Sequence, residues 1–377
     1  MVYLDYNATT PLGPEARAAM QPFLDGVHGN PSSIHAEGRR ARAAVDDARD
    51  AIAAALEARP HEIIFTGGGT ESCNLGVIGL ARAHAPMGRR LITSAIEHHA
   101  VLHAMEYLRH FEGFSVDILP VDESGTVRPE TLRERLRPDT TLVSIMHANN
   151  ETGALQPIRE LAAACQEKGV LFHTDAIQTF GKIPMSPSGL GVSALSIAAH
   201  KFHGPKGVGA LWLKSGVALS RTAHGGAHEN SRRPGTENVL GIAGMAAAAA
   251  ARHEDPASLL PLREALWEGI RTISPTAIRN GDPDRTLPNT LNVSFPGADG
   301  EALLIGLDLE GICVSSGSAC MVGSIQPSHV LLAMGVPAST ALATVRFSLG
   351  PETTPEHIRL THSALEKVLS IQLEPSR

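Results

Sequence analysis

From about residue 40 the chain alternates between two spacings of apolar residues. "RRARAAVDDARDAIAAALEA" (39–58) repeats them at helical spacing and predicts an amphipathic helix. "HEIIFTG" (61–67) is a short apolar run closed by glycine and predicts a strand. The exchange continues: "TESCNLGVIGLARAHA", "AVLHAMEYLRHF", "RPETLRERLR" and "IRELAAACQEKG" read as helices, while "RRLITSAIEH", "FSVDILPV", "TTLVSIMHA", "VLFHTDA", "ALSIAAH" and "GVGALWLK" read as strands. Such alternation predicts an α/β fold with a mostly parallel central sheet flanked by helices. Beyond the Ala-rich stretch 239–251 the pattern changes. "NTLNVSF", "GICVSSG" and "TVRFSLG" predict strands among long helices and turns, a smaller α+β domain beginning near residue 255.

Composition narrows the picture. The 377 residues suffice for two domains. A net charge of −7, without a basic cluster interleaved with aromatics, argues against a nucleic-acid partner. "MVYLDYNATTPLG" has neither the charged nor the apolar region of a signal peptide, and 239–251 is too short to span a bilayer, so no membrane association is expected. Cys73, Cys165, Cys313 and Cys320 show no CxxC or zinc spacing and suit free thiols in a reducing cytoplasm.

In parallel sheets ligands bind beyond the carboxyl ends of the strands, so the residues after each apolar run carry the chemistry. "GGGTES" (67–72) between strand and helix has the form of a phosphate cradle, although Gly-rich turns of this kind are common and GK[ST] is missing. "EHHA" (97–100) offers a histidine that stacks on a ligand or merely caps the next helix. "NNETG" (149–153) offers amides for a ligand or ordinary turn residues. Asp175 lies just inside an apolar run, where a carboxylate must pair or be protonated. Lys201 closes "LSIAAHK", where a lone lysine ordinarily snorkels to solvent. Cradle, histidine, amides, buried acid and lysine at one sheet edge match pyridoxal 5′-phosphate. That cofactor needs an anion site, a ring to stack on, an acid at its pyridine nitrogen and a lysine for its aldehyde.

"YLDYNATTP" (3–11), "GNPSSIH" (29–35), "TGGGTESCN" (66–74), "HANNETG" (147–153), "FHTDAIQ" (172–178), "HKFHGPKG" (200–207), "RRPGTENV" (232–239) and "SSGSAC" (315–320) occur in this order. Together they resemble the cysteine desulfurases of the nitrogen-fixation and iron–sulfur-cluster type, within the class V aminotransferase group of pyridoxal-phosphate enzymes. The resemblance covers nearly the whole chain. It implies a large cofactor-binding domain over 13–254 and a small domain of 1–12 and 255–377 carrying the catalytic cysteine loop. It implies that Lys201 holds the cofactor aldehyde, Asp175 pairs with the pyridine nitrogen and His98 stacks on the ring. Gln178 and Asn150 lie near the ring substituents, and Gly69, Thr70 and His200 contact the phosphate. Thr236 supplies a contact from the neighbouring subunit, hence a homodimer with shared sites. Arg346 grips the substrate carboxylate, with Asn7 close by.

The resemblance further implies that Cys320, among small polar residues on an exposed loop, takes sulfur from L-cysteine as a persulfide, leaving L-alanine. Lys201 moves the Cα proton and His98 handles a proton near the substrate thiol. The sulfur then passes to an iron–sulfur scaffold or another acceptor. Cys313, inside "GICV", is expected to be a core residue. Three positions depart from the usual pattern: Ala198 where a hydroxyl is common, Ala199 where glycine is usual, and Cys73 where Asp is frequent. The alternatives are a selenocysteine lyase or another aminotransferase-like enzyme, and a non-catalytic sulfur carrier, against which Lys201 and Asp175 both speak. No metal site is expected. His224 and His228 are separated by "GG", and His98 and His99 point apart.

Overall fold

The computed structural model describes residues 1–251, 256–316 and 326–373. Its strands are β1 (Val2–Tyr3), β2 (Ile63–Thr66), β3 (Arg90–Ser94), β4 (Ser115–Leu119), β5 (Thr140–Ser144), β6 (Leu171–Asp175), β7 (Ala194–Ala198), β8 (Gly209–Leu213), β9 (Ile278–Arg279), β10 (Thr290–Ser294), β11 (Ile312–Cys313) and β12 (Thr344–Ser348). Among the described residues the large sheet has seven strands in the order β2-β8-β7-β6-β5-β3-β4. Only β8 runs against its neighbours; β7, β6, β5, β3 and β4 pair in parallel. The carboxyl ends of β2, β3, β5, β6 and β7 therefore open on one edge.

Alternation within each run decides which layer covers which face. Ile63, Phe65, Ile92, Val143, Leu195 and Ile197 join one apolar cluster, with the helices α1 (Pro14–Asp25) and α2 (Ala36–Ala55) and the Ala-rich helix Val239–Ala250. Ile64, Leu91, Leu142, Ala194 and Leu211 join the other, under α3 (Gly69–His84) and α4 (His99–Glu112). With both faces covered, β5 and β7 are buried at every position. The Ala-rich helix approaches α1 closely: a Cβ on Gly244 would lie 2.7 Å from Met20 Sδ.

A separate cluster gathers Val2, Leu4, Leu266, Ile270, Leu291, Val293, Phe347 and Leu365. It sits on the antiparallel sheet β12-β10-β9 and the parallel pair β1-β11. An isolated bridge joins Asp5 to Ser348, so the N-terminal segment crosses from this cluster toward the large sheet. Strands are shorter than the sequence suggests: "GICVSSG" keeps only Ile312–Cys313 in a strand, with a bridge from Ser315 to Arg346. Cys313 is half-buried rather than a core residue, because its strand has β1 as its only neighbour among the described residues. No described helix is long and apolar enough to cross a membrane.

Candidate active site

The turn after β2 builds the cradle. Gly68 adopts φ 146° and ψ −178°, a conformation essentially restricted to glycine, and Gly69 opens α3. A Cβ on Gly69 would meet Ile177 Cδ1 at 2.5 Å and Ala198 Cβ at 3.2 Å, so only glycine fits without displacement. Free N–H groups and the positive end of the 16-residue helix face a cavity of about 1230 Å³. Gly69, Thr70, His98, His200 and Lys206 line it. Lys206 in "GPKG" is not evident from sequence, since nothing local tells a turn lysine from a cavity cation.

His98 caps the next helix and also borders the cavity. Its Nδ1 accepts from Ala100 N–H at 3.0 Å as the N-cap of α4, and its ring lines the cavity. The cap leaves the proton of the neutral ring on Nε2, so His98 donates toward the cavity. Burial lowers its pKa, opposed by Asp175 and assisted by Lys201, His99 and His103.

Asp175 ends β6, buried, with Oδ1 accepting from Ile177 N–H at 2.9 Å. Burial raises its carboxyl, while that N–H, His98, Cys73 and Lys201 draw it down. A buried acid of this kind is stabilised by a cation such as a pyridinium. Cys73 lies fully buried beside it, and burial and the Asp175 charge push its thiol well up. Ala199 is accommodated because Gly204 has no Cβ; one there would lie 2.7 Å from Ala199 Cβ.

Lys201 follows β7 in a short 3-10 turn. Its Nζ donates to the carbonyls of Asn7 at 2.6 Å and Ala8 at 2.7 Å, and it lines a second cavity of about 40 Å³ with Tyr6, Lys182 and Asn289. Gln178 Nε2 donates to the same Asn7 carbonyl at 2.9 Å. Asn7 is a hub rather than a free ligand. Its Oδ1 accepts from Lys182 at 3.0 Å and Asn289 at 3.1 Å, and its Nδ2 donates to Thr290 Oγ1 at 2.9 Å. His200 Nδ1 meets Thr9 Oγ1 at 3.2 Å, and burial pushes the ring down to about 4, so it is neutral at neutral pH.

Arg346, from β12, is 3% exposed. It donates Nη1 to Asn150 O at 3.0 Å and Nη2 to Asp5 Oδ1 at 2.7 Å, while Nε has no partner among the described residues. Asn150 thus contributes its carbonyl here, and Asn149 makes the turn by accepting from the N–H groups of Glu151 and Thr152. Two buried acids escaped the sequence reading. Glu97 accepts from Ser94 Oγ at 2.5 Å and Met146 N–H at 2.9 Å, and burial pushes it up to about 8. Glu151 accepts from Ser328 Oγ at 2.5 Å and is pushed up to about 7. Both follow strands, but a Glu after an apolar run reads as a helix-start residue. Thr236 is exposed on the loop before the Ala-rich helix and lines neither cavity. Cys320 lies outside the described residues.

Residues 2–360 match the family model described as aminotransferase class-V. The cysteine desulfurase IscS of Dictyoglomus turgidum is 48% identical over 98% of this chain and 94% of its own length. The chain belongs to the cysteine desulfurases of the class-V aminotransferase family. The cysteine desulfurase NifS of Azotobacter vinelandii is 43% identical to the enzyme over 95% of this chain and 90% of its own. A solved NifS-like protein superposes with a TM-score of 0.91 at 38% identity, covering 98% of this chain and 99% of that one. The family uses pyridoxal phosphate, and the enzyme's residues fit that group. The glycine cradle offers N–H donors, Asp175 offers a buried acid and Lys201 offers an amine.

Proposed function

We propose that the enzyme converts L-cysteine to L-alanine and passes the sulfur to Cys320 for iron–sulfur clusters or another thio-cofactor. The observation that carries this reading is the N-terminal segment 5–8, which Lys201 and Gln178 hold through the Asn7 and Ala8 carbonyls and Arg346 holds through Asp5. Amine, amide and guanidinium are thereby held around one spot. When bound, pyridoxal phosphate supplies an electron sink for the substrate's Cα. Gly69, Thr70 and His200 would hold its phosphate, Asp175 its pyridine nitrogen, His98 its ring face, Lys201 its aldehyde, and Gln178 and Asn150 its ring substituents.

Arg346 keeps three N–H groups beyond those given to Asn150 and Asp5, enough to take the substrate carboxylate as a fork. Lys201 Nζ removes the Cα proton and later returns one to carbon. His98 holds a proton at Nε2 near the substrate thiol. The Cys320 thiolate forms an S–S bond to the substrate sulfur while the Cβ–S bond breaks, its electron pair going to carbon. The products are a Cys320 persulfide and, after proton uptake, alanine; no oxidant is consumed.

The sequence motifs also support a large domain over 13–254, a small domain of 1–12 and 255–377, a cytoplasmic location, and a homodimer in which the exposed Thr236 reaches the neighbouring site. The test is alanine release from L-cysteine by the cofactor-loaded protein, without added 2-oxo acid. Cys320→Ala is expected to keep the cofactor and lose release, and Lys201→Ala to lose the cofactor's visible absorbance at its bound wavelength. Full turnover by Cys320→Ala would sink the sulfur-acceptor assignment.

A further inference from the structure

Lys182 lies four residues after Gln178 in a turn that the mechanism above does not use. Its Nζ donates to two amide oxygens, Gln178 Oε1 at 2.9 Å and Asn7 Oδ1 at 3.0 Å. An amide has an accepting and a donating end, and nothing in its shape decides which faces where. A lysine amine beside both oxygens decides it for both. Gln178 then turns its NH₂ to the Asn7 carbonyl, and Asn7 turns its NH₂ to Thr290 Oγ1 and to Asn150 O, at 2.9 and 3.4 Å. The Asn150 carbonyl is also the one that receives Arg346. Asn289 Nδ2 donates to Asn7 Oδ1 as well, so the orientation of Asn7 is doubly set, and that of Gln178 is set by Lys182 at its oxygen together with the Asn7 carbonyl at its nitrogen.

We infer that Lys182 is a positioning residue that holds the donor end of the Gln178 amide toward the cofactor ring and so tunes the proton affinity of the bound cofactor. This rests on the reading that Gln178 faces a ring substituent. Burial, with Lys201 and Arg346 nearby, pushes the Lys182 amine far down. The two amide oxygens at 2.9 and 3.0 Å favour the charged form in turn, and that form, with three N–H groups and no lone pair, can only donate to them. A donor aimed at the ring oxygen stabilises its deprotonated form and weakens the hold on the adjacent proton. Without Lys182 the Gln178 oxygen loses its donor and the amide keeps only its bond to the Asn7 carbonyl, so its donor end is held less firmly toward the ring and that proton is held more tightly.

The test is a pH titration of the cofactor absorbance in the holoenzyme for wild type, Lys182→Met, Gln178→Ala and the double variant. Each single variant is expected to raise the absorbance midpoint by roughly half to one pH unit, the size of one hydrogen bond. The double variant is expected to shift no further than Gln178→Ala, because the lysine acts through the amide. A shift in Gln178→Ala with none in Lys182→Met overturns the role of Lys182 and leaves the Gln178 reading standing. No shift in Gln178→Ala overturns both. Additive shifts overturn the inference too, since Lys182 would then act by its own charge or packing. Should Lys182→Met not fold, Lys182→Gln, whose amide donates or accepts and enforces no polarity, completes the same cycle.

Discussion

Replacing Asp5 by alanine tests how the substrate-side arginine is held. The guanidinium of Arg346 is nearly sealed, with its side chain 4% exposed, and Asp5 is its only carboxylate partner among the described ion pairs. Removing that partner leaves a buried cation with one carbonyl bond, to Asn150, and an Nε–H that already has no partner among the described residues. Breaking a buried pair from one side costs about 3–5 kcal/mol. The Asp5 side chain is 18% exposed, so water can replace part of the lost interaction and the loss falls at or just below the foot of that range, about 2–3 kcal/mol. Asp5→Asn keeps an acceptor oxygen and loses the charge. Charged hydrogen bonds are roughly twice as strong as neutral ones, so about half the loss is expected. Urea unfolding at neutral pH measures both. The same variants are expected to gain more stability from added L-alanine than wild type does, because an incoming carboxylate then finds the arginine fork without a competitor. A loss below about 0.5 kcal/mol for Asp5→Ala, the size of an exposed pair, would refute this account of Arg346.

Gly69→Ala forces Ile177 aside and is expected to cost about 1–3 kcal/mol and to weaken cofactor affinity at least several-fold, measured by urea unfolding and absorbance titration. Glu229→Ala breaks a pair with Arg49 whose side chains are 1% and 13% exposed, and strips Phe65 N–H of its acceptor. A loss of about 3–5 kcal/mol is expected by urea unfolding, and the left-handed φ of 49° at that residue, equally strained with the Cβ of alanine, offsets none of it. Glu97, raised by burial to about 8 against about 4.3 in an unfolded chain, binds its proton more tightly when folded. Its contribution to stability is full below about 4.3 and is lost as pH rises through 8, so urea midpoints of wild type should fall relative to Glu97→Gln across that window; parallel curves would refute it.

Much of the site was legible because each part sits at a strand end, where an apolar run stops and polar residues begin. Gly69, His98, Asp175 and Lys201 all announce themselves this way, and the parallel order of the strands brings them to one edge. What stayed hidden depends on contacts across hundreds of positions. Asn7 reads as a ligand residue, yet its amide is committed to Lys182, Asn289 and Thr290. Arg346 reads as an open fork, yet Asp5 holds it. Lys182 sits in a Gly-Lys turn that any surface loop could show. Cys313 looks apolar in "GICV", but a two-residue strand with a single neighbour cannot bury it.

The segment that carries Asn7 also has a bearing on biosynthesis. Asn7 N–H donates to Ser348 Oγ across 341 positions, and Val2 and Tyr3 pair with Ile312 and Cys313. During translation these early residues leave the ribosome long before their partners exist. The carbonyls that anchor Lys201 can find their place only when synthesis is almost finished. Nascent chains should therefore complete the large sheet first and stay unable to retain vitamin B6 until the final strand is released.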